Sequence, residues 1–455
     1  MLPGSLSTVS VAELRQREFT RLDARDEAYL DYTGSGLPLE SHLRWHLELL
    51  RTEVFGNPHS ENPPSLASTR WVTDARAAVL AFVDAEPAEY DVVFTANASA
   101  AIKLVGESFP LEASSRLVLT ADNHNSVLGT REFARRAGAS VSYVPLDDEL
   151  RLHAAGQVLG ETAPGSASLF AYPAQSNFSG VRHPLTLVRM AHSLGYAVLL
   201  DAAAFVPSAR LSLRDVPADF VTLSLYKVLG YPTGVGALVV RREWLERLRR
   251  PWFAGGTVEF SSVQNDVHLL RRGAEGFEDG TPNFLALSAV SWGLARIADV
   301  GVDRIGEHVK AMTRRLLAGL LVLRHADGSP LVTIYGPPNL EARGGTVAFN
   351  LIDRHGRWIP HADVEARAAA RRVSVRSGCF CNPGAGEHAL RFDAGRVASC
   401  IAAARDDTRN PRFSKDEFAR CMGETPIGAV RASVGIATNE RDVDRLLEAL
   451  KEWRT

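Results

Sequence analysis

The sequence predicts an α/β fold: a large, mostly parallel sheet covered by helices, followed by a smaller α+β domain. Three observations predict it. From about residue 66, short apolar runs alternate with amphipathic helical patterns. Several of these helices carry proline in the first turn or glycine just after the end. After about residue 284, two long helical patterns precede only three strand candidates.

The large sheet is assembled from six apolar runs. Because these runs are apolar throughout, they are typical of parallel strands that are buried on both faces. They occupy residues 91–95, 116–120, 168–172, 197–201, 220–224 and 234–240. Helices are predicted before or between them at residues 66–83, 99–109, 126–138 and 184–195. Since such sheets bind ligands beyond the carboxyl ends of their strands, polar residues just after each run are the candidates for chemistry.

The chain is divided into three predicted parts. Residues 1–30 form an N-terminal segment that packs on the small domain, residues 31–284 form the large domain, and residues 285–455 form the small domain. In the small domain, strands are expected at residues 331–336, 345–352 and 429–435, and an amphipathic helix at 441–453. Residues 384–425 are polar and rich in turn formers, so they are predicted to be an exposed excursion.

Composition excludes several classes of protein. The 455 residues include 51 Lys+Arg and 53 Asp+Glu, so no basic field supports nucleic-acid binding. No apolar run reaches the length of a membrane span, and the N-terminus lacks the pattern of a secretory signal. We therefore expect a cytoplasmic protein that does not bind membranes. Four cysteines near the C-terminus do not make a disulfide framework.

One lysine stands apart from the other four. Lys227 directly follows a buried-strand candidate and precedes a glycine-rich segment, whereas the others lie in charged, amphipathic or polar patterns. An amine at the edge of a sheet, desolvated by apolar neighbours, has a lowered pKa and can act as a nucleophile. The alternative is a side chain that only extends from the strand end into solvent.

Four further polar residues follow predicted strands. Asp201 ends the run at 197–201, where a carboxylate needs a partner such as a pyridinium nitrogen, or else caps a turn. Ser99 lies at a strand–helix turn suited to phosphate, and Ser224 is close enough to serve the same group. His124 could stack on a planar cofactor or move protons, and its alternative is an ordinary loop residue.

The segment from Arg376 to Cys381 reads Arg-Ser-Gly-Cys-Phe-Cys and is followed by Asn-Pro-Gly. A cysteine on a flexible loop near an arginine suits a mobile thiol nucleophile beside a carboxylate-binding group. A structural cysteine pair is the alternative. A zinc site drawn from Cys379, Cys381, Cys400, Cys421 and His388 is a weaker alternative, so no metal is predicted.

Together and in this order, the segments resemble the class V family of PLP-dependent enzymes of aminotransferase fold type I. The resemblance covers roughly residues 28–450 and is strongest to the cysteine-desulfurase-like N-terminal domain of molybdenum cofactor sulfurases; their separate C-terminal domain has no counterpart in this sequence. It is carried by the segments at 29–31, 56–60, 122–127, 171–180, 199–203, 226–238, 277–281 and 378–384.

The resemblance implies a role for each matching residue. Lys227 would hold pyridoxal 5'-phosphate as a Schiff base, Asp201 would pair its ring nitrogen, and His124 would stack on the ring. The other cofactor-binding residues it implies are Ser99, Ala98, Ser224, Tyr226, Asn177 and, from a neighbouring subunit, Thr281. Arg376, ahead of Arg431, would bind the substrate carboxylate together with Asn177, and Cys381 would carry a persulfide. Thr281 further implies a homodimer.

The implied function is a cysteine desulfurase that converts L-cysteine to L-alanine and passes sulfur to a protein or small-molecule acceptor. Tyr226 and Ala204 depart from plain desulfurases, which usually have histidine and glutamine there. Two alternatives stay open. One is another class V reaction, such as that of a C–S lyase, an epimerase or an aminotransferase. The other is a non-catalytic sulfur-relay or zinc-binding scaffold.

Overall fold

The computed structural model describes residues 5–403 and 413–455. Its helices are α1 Val11–Glu18, α2 Thr20–Ala24, α3 Glu40–Thr52, α4 Pro63–Phe82, α5 Ala98–Ser108, α6 Asn125–Leu128, α7 Arg131–Arg136, α8 Ala155–Leu159, α9 Leu187–Ser193, α10 Leu225–Leu229, α11 Arg242–Arg247, α12 Phe284–Val300, α13 Val302–Leu321, α14 His361–Ala370, α15 Pro383–Ala389, α16 Ala394–Ala403, α17 Lys415–Met422 and α18 Glu440–Lys451. A short 3₁₀ helix spans Ala274–Phe277.

The strands form one large sheet and three smaller ones. They are β1 Ala28–Tyr29, β2 Tyr90–Thr95, β3 Arg116–Thr120, β4 Ser140–Val144, β5 Ser168–Pro173, β6 Tyr196–Asp201, β7 Phe220–Ser224, β8 Gly236–Arg241, β9 Val258–Ser262, β10 Val267–Leu270, β11 Val332–Tyr335, β12 Thr346–Leu351, β13 Val373–Ser374, β14 Arg376–Gly378 and β15 Ala429–Ser433. β9 and β10 make a hairpin, and β1 pairs with β13.

The large sheet has seven strands in the order β2-β8-β7-β6-β5-β3-β4. Only β8 runs against its neighbours, so the predicted mostly parallel sheet is confirmed. All six predicted strands are present, and the sequence reasoning missed β4. The central strands β5, β6 and β7 are buried along nearly their whole length, as strands covered on both faces must be.

The predicted helix at 126–138 is wrong in one respect, because the structure divides it into α6 and α7. The break falls at Gly129 and Thr130. The Thr130 hydroxyl donates to the carbonyl of Val127 at 2.7 Å, which gives the backbone an alternative to a continuous helix. The shortened helix α6 is capped by His124.

The second sheet has four antiparallel strands in the order β11-β12-β15-β14. The predicted exposed excursion at residues 384–425 contains helices that its turn-rich sequence did not indicate: in its described part lie α15 without its first residue, α16 and α17, and most of these residues from 391 onward are exposed or half-buried. Cys400 and Cys421 form a disulfide that joins α16 to α17. These short helices were not predicted because their sequences mix polar and apolar residues. Residues 404–412 of the same stretch lie outside the described residues.

Helix α12 packs against α3 and α4 beside the large sheet. In the described part of the chain, no single helix is long and apolar enough to cross a membrane. α12 and α13, bent by 65° at their junction, pass that test of length and composition only as a pair.

The N-terminal segment is fixed to the last helix by a buried ion pair. Arg15 in α1 donates through Nη1 to Asp442 Oδ2 in α18 at 2.6 Å, and both side chains are almost fully buried. Arg15 also bonds Asp23 at 2.8 Å. The contact places α1 against the C-terminal part of the chain, while the predicted domain boundaries at residues 30 and 284 stay predictions.

We expect Arg15→Ala to lower the free energy of unfolding by about 3 kcal/mol, because it leaves the Asp442 carboxylate buried without its cation. Urea unfolding followed by tryptophan fluorescence measures the change. Arg44→Ala removes an exposed ion pair with Glu40 and is the matched control, with an expected loss below about 0.5 kcal/mol. Equal losses in the two variants would contradict a structural role for the buried pair.

Candidate active site

The predicted site residues lie at one edge of the large sheet. Asp201 and Ser224 are the last residues of β6 and β7, and these two strands are parallel neighbours. Lys227 lies in α10, which begins directly after β7. His124 follows β3 and caps α6. The charges of Asp201 and Lys227 both act on the pKa of its imidazole. The edge of the sheet thus collects a carboxylate, an amine and an imidazole.

Lys227 has an unusual environment for a lysine. Burial lowers the pKa of its amine, and the cations of Arg431 and Arg376 lower it further, while Asp201 and Asp31 oppose the shift. Its backbone is covered by Gly36, where an added Cβ would lie 2.7 Å from the Lys227 carbonyl oxygen. Burial thus favours the neutral, nucleophilic form of this amine.

Asp201 is held in place by two donors. Its Oδ1 accepts from the backbone N–H of Ala203 at 3.0 Å and from the Thr222 hydroxyl at 3.4 Å. Thr222 is fully buried on β7 and went unnoticed in the sequence, because an inward-facing threonine of a strand carries no distinctive pattern. With Oδ1 engaged in this way, the carboxylate has a fixed orientation, as pairing with a protonated ring nitrogen requires.

His124 is oriented by a serine that the sequence reasoning also missed. Its Nδ1 accepts from the backbone N–H of Ser126 at 3.1 Å and lies 3.0 Å from the Ser126 hydroxyl. Nε2 therefore carries the proton of the neutral ring. Burial lowers the pKa of His124, against the opposing charge of Asp201, which favours that neutral form. A neutral ring is suited to stacking on a planar cofactor.

The candidate phosphate site is the first turn of α5. Asn97 caps this helix by accepting from Ala100 N–H, and Ser224 Oγ accepts from Ala98 N–H at 3.1 Å. Ser99 is exposed, and its Oγ lies 2.5 Å from the Ser126 hydroxyl. Gly236 lets β8 approach closely, since an added Cβ would lie 2.4 Å from the Asn97 backbone. Backbone donors and hydroxyls at a helix N-terminus fit an anion.

Two arginines converge on one carboxylate. Asp31 accepts from Arg376 Nη2 at 2.6 Å through Oδ2 and from Arg431 Nη2 at 2.9 Å through Oδ1. The side chain of Arg431 is 3% exposed and that of Arg376 is 52% exposed. Arg431 also influences the pKa of both His124 and Lys227. Arg376 also lowers the pKa of Lys227, by less than Arg431 does, so the two arginines differ mainly in that Arg431 is buried and Arg376 is half-exposed.

Arg431 keeps binding capacity for a further anion. Besides Asp31, it donates through Nη1 to the Asn177 carbonyl at 3.0 Å. Its Nε is buried and has no hydrogen-bond partner in the described part of the chain. Burial lowers the pKa of Arg431 while Asp31 opposes the shift. The guanidinium is thus fixed in place by Asp31 and Asn177, and its Nε N–H has no acceptor among the described residues.

The cysteine loop, which the sequence predicts to be flexible, is held by hydrogen bonds to two other segments. The carbonyl of Cys381 accepts from Asn125 N–H at 2.7 Å, next to His124, and Asn177 Nδ2 donates to the Phe380 carbonyl at 2.8 Å. The ring of Phe380 is buried against Phe178. The Cys381 residue itself is exposed. These long-range bonds fix the backbone, which a loop rich in glycine and proline did not indicate.

Two predicted residues lie at the margin of this arrangement. Thr281 is exposed and accepts from Asn57 Nδ2 at 3.4 Å; it lines a surface cleft with residues 54–60 and Gly255–Gly256. Tyr226 is half-buried, and burial raises its pKa.

The Ala204 carbonyl, where plain desulfurases place glutamine, accepts from Gln175 Nε2 at 2.9 Å.

The cysteines do not form the alternative zinc site in this structure. Cys400 and Cys421 are joined to each other, while Cys379 and Cys381 are free. Within residues 5–403 and 413–455, no group of three or more His, Cys, Asp and Glu residues is placed to hold a metal.

The fold and the site together define an enzyme of the PLP-dependent transferase fold. A family model described as aminotransferase class-V matches residues 28–446, so this chain belongs to the class-V aminotransferase family. The predicted family and fold type are confirmed, and with them the PLP cofactor.

Curated relatives are longer than this chain. Molybdenum cofactor sulfurases of Arabidopsis thaliana and Bos taurus are 34% and 35% identical to it, each over 96% of this chain. The alignments cover 57% and 51% of those proteins, so the chain spans about half the length of the curated relatives it matches.

Solved structures share the fold over their full lengths. An apo cysteine desulfurase from Thermococcus onnurineus NA1 is 25% identical, with a TM-score of 0.77 and coverage of 97% of both chains. The cysteine desulfurase CsdA from Escherichia coli is 20% identical, with a TM-score of 0.76 and coverage of 98% of both chains. The second likeness shows the fold alone.

The residues present fit pyridoxal phosphate. Lys227 would hold its aldehyde carbon, Asp201 would face its ring nitrogen, and the first turn of α5 with Ser224 would receive its phosphate. The lowered pKa of Lys227 and the fixed carboxylate of Asp201 are the features that this cofactor needs. PLP, when bound, accepts electrons from the substrate's Cα through its protonated ring.

Borohydride reduction of the purified protein is expected to attach the cofactor permanently to the peptide that contains Lys227, because the reduced bond no longer hydrolyses. Mass spectrometry of the digest identifies the labelled peptide. Lys227→Ala should lose the label completely, while Lys103→Ala, which removes an exposed lysine of α5, should keep it. A label that persists in Lys227→Ala would place the reactive amine elsewhere.

Proposed function

We propose that this protein is a cysteine desulfurase of the sulfurase type, which takes sulfur from L-cysteine, releases L-alanine and carries the sulfur as a persulfide on Cys381. One observation carries the proposal. A free, exposed cysteine has its backbone bonded to Asn125, the residue after the ring-stacking candidate His124. Cys381 is therefore tied to the loop of His124 through its backbone and is open to the solvent from which an acceptor would arrive.

Lys227 is the base in this proposal. With the substrate joined to the cofactor, the Lys227 amine would be free to take the proton from the substrate's Cα. Its lowered pKa matches a group that must take a proton near neutral pH. Asp201 stabilises the ammonium that results, since the two groups already attract each other in the protein.

The substrate carboxylate binds Arg431. Its guanidinium is fixed in orientation, and its positive charge acts on both Lys227 and His124. Asp31 holds Arg431 and Arg376 together, and Asn177 contributes its carbonyl to Arg431. Binding by a buried, oriented arginine fixes the substrate so that its Cβ–S bond faces the cysteine loop.

The sulfur transfer balances without an added reductant. The Cys381 thiolate attacks the substrate sulfur, a new S–S bond forms, and the Cβ–S bond breaks. The electron pair of the broken bond stays with Cβ, which takes up a proton. The products are a Cys381 persulfide and L-alanine, and a second nucleophile must later remove the outer sulfur.

The proposal includes a homodimer, and it includes a sulfur acceptor that is a protein or a small molecule. Thr281 is exposed at a cleft next to the β9–β10 hairpin segment, whose Phe260 and Leu269 are 55% and 62% exposed. Exposed apolar side chains of this kind suit a second copy of the chain, which would bring its Thr281 to this site.

The cytoplasmic location stays a prediction. Disulfides such as Cys400–Cys421 are uncommon in reducing compartments.

Arg431→Lys is expected to raise the KM for L-cysteine about thirtyfold, because a lysine cannot reproduce the oriented guanidinium, a loss of about 2 kcal/mol. Steady-state alanine formation measures it. Arg376→Lys, on the exposed side of Asp31, should change KM less than about threefold. The opposite order of effects would make Arg376 the carboxylate binder.

Cys381→Ser is expected to bind the cofactor normally but to release sulfide from L-cysteine about a thousandfold more slowly or worse, because the nucleophile is gone. Sulfide release in the presence of a thiol reductant and absorbance of bound cofactor are the two measurements. Cys379→Ser is the control and should keep most of the activity. Undiminished sulfide release from Cys381→Ser would assign a C–S lyase reaction instead.

A further inference from the structure

We infer that Asn382 is a positioning residue for the sulfur transfer: its buried side-chain amide fixes the cysteine loop so that the Cys381 thiol meets the substrate. The reaction named here is that of the proposed function. The geometric part of the inference needs only the hydrogen bonds between Asn382 and the two loops that it contacts.

Asn382 is fully buried and uses every hydrogen-bonding group of its side chain. Its Nδ2 donates to the Asp122 carbonyl at 2.6 Å and to Asn177 Oδ1 at 2.9 Å. Its Oδ1 accepts from Ala385 N–H at 3.2 Å. A single side chain therefore joins three segments that are far apart in the sequence: the loop after β3, the loop after β5, and the loop that carries the cysteine.

The two residues before Asn382 are tied to the same loops. Asn177, which accepts from Asn382, donates to the Phe380 carbonyl, and Asn125 N–H donates to the Cys381 carbonyl. Asn382 N–H donates to the Cys379 carbonyl at 2.9 Å. The backbone on both sides of the thiol is thus held at successive peptide groups.

This clamp supports an unfavourable backbone. Phe380 and Cys381 have φ angles of 54° and 55°, a left-handed pair that residues with a Cβ rarely adopt. Such strain persists only where the surroundings over-determine it. The Phe380 ring is fixed by Phe178 at 5.4 Å and by the guanidinium of Arg431 at 4.7 Å. Removal of the clamp would let Cys381 relax away from the site.

Capping of α15 does not account for the asparagine. A cap needs only a side-chain oxygen that accepts from Ala385 N–H, which serine or aspartate supplies as well. The two bonds that Nδ2 donates, to Asp122 and Asn177, are additional to capping. They are the bonds that connect the thiol's loop to the loops of the cofactor and the substrate.

The test uses Asn382→Asp and Asn382→Ser, which both keep a capping oxygen and lose the two donated bonds. We expect single-turnover formation of the Cys381 persulfide from L-cysteine to slow by tenfold to roughly a hundredfold, as a displacement of about 1 Å would cause. Exchange of the L-alanine Cα hydrogen in D₂O needs Lys227 but no thiol, and it should change less than about twofold.

Asn439→Ser is the matched control, since Asn439 caps α18 far from the site and accepts from Asp442 N–H. It should leave both rates unchanged. Equal losses of persulfide formation and Cα exchange in the Asn382 variants would overturn the inference, because they would indicate general damage. Unchanged persulfide formation would overturn it as well.

Two measurements do not depend on the proposed reaction. Alkylation of Cys381 relative to Cys379 by iodoacetamide, followed by mass spectrometry, should shift at least severalfold in the variants as the loop relaxes. In the wild-type chain, hydrogen exchange should show protection of the Asn382 and Ala385 amides. Exchange at free-peptide rates would overturn the clamp even if no variant folds. Absence of persulfide from wild type, with the clamp intact, would refute the desulfurase reaction alone.

Discussion

The charge balance around Lys227 is the constraint on which the site depends. Burial and two arginines disfavour its ammonium form, and Asp201 together with Asp31 prevents the site from becoming a purely cationic pocket. The parallel sheet makes this balance attainable, because the ends of β6 and β7 bring the carboxylate and the amine to one edge. A lysine elsewhere on the surface would keep its proton and its hydration.

The residues at strand ends were predictable and the network behind them was not. Asp201 and Ser224 end apolar runs, and His124 and Lys227 follow such runs within four residues, so the rule for parallel sheets is enough to find them. Asn382 acts through contacts with segments that are distant in the sequence, and Ser126 orients His124 from two residues away. Their partners include backbone carbonyls, which have no sequence signature. For the same reason, the hydrogen bonds that hold the cysteine loop could not be predicted, since its glycine and proline resemble those of a flexible turn.

The fold was predictable to a similar depth. Continuous apolar runs identified the central strands, because burial on both faces leaves a strong signal. The β9–β10 hairpin was missed because its residues are mostly exposed and carry no such run. The helices α16 and α17 were missed for a related reason. They are amphipathic and short, and each buries few residues, so only the Cys400–Cys421 link reveals that they pack as a pair.

The shared carboxylate of Asp31 has a consequence for selectivity. Two guanidinium groups and one carboxylate leave this corner of the site with one surplus positive charge. The carboxylate of an α-amino acid neutralises this charge, whereas a decarboxylated amine such as cysteamine brings no carboxylate to the buried Arg431. The charges of the protein itself therefore favour a ligand that carries a carboxylate over one that lacks it.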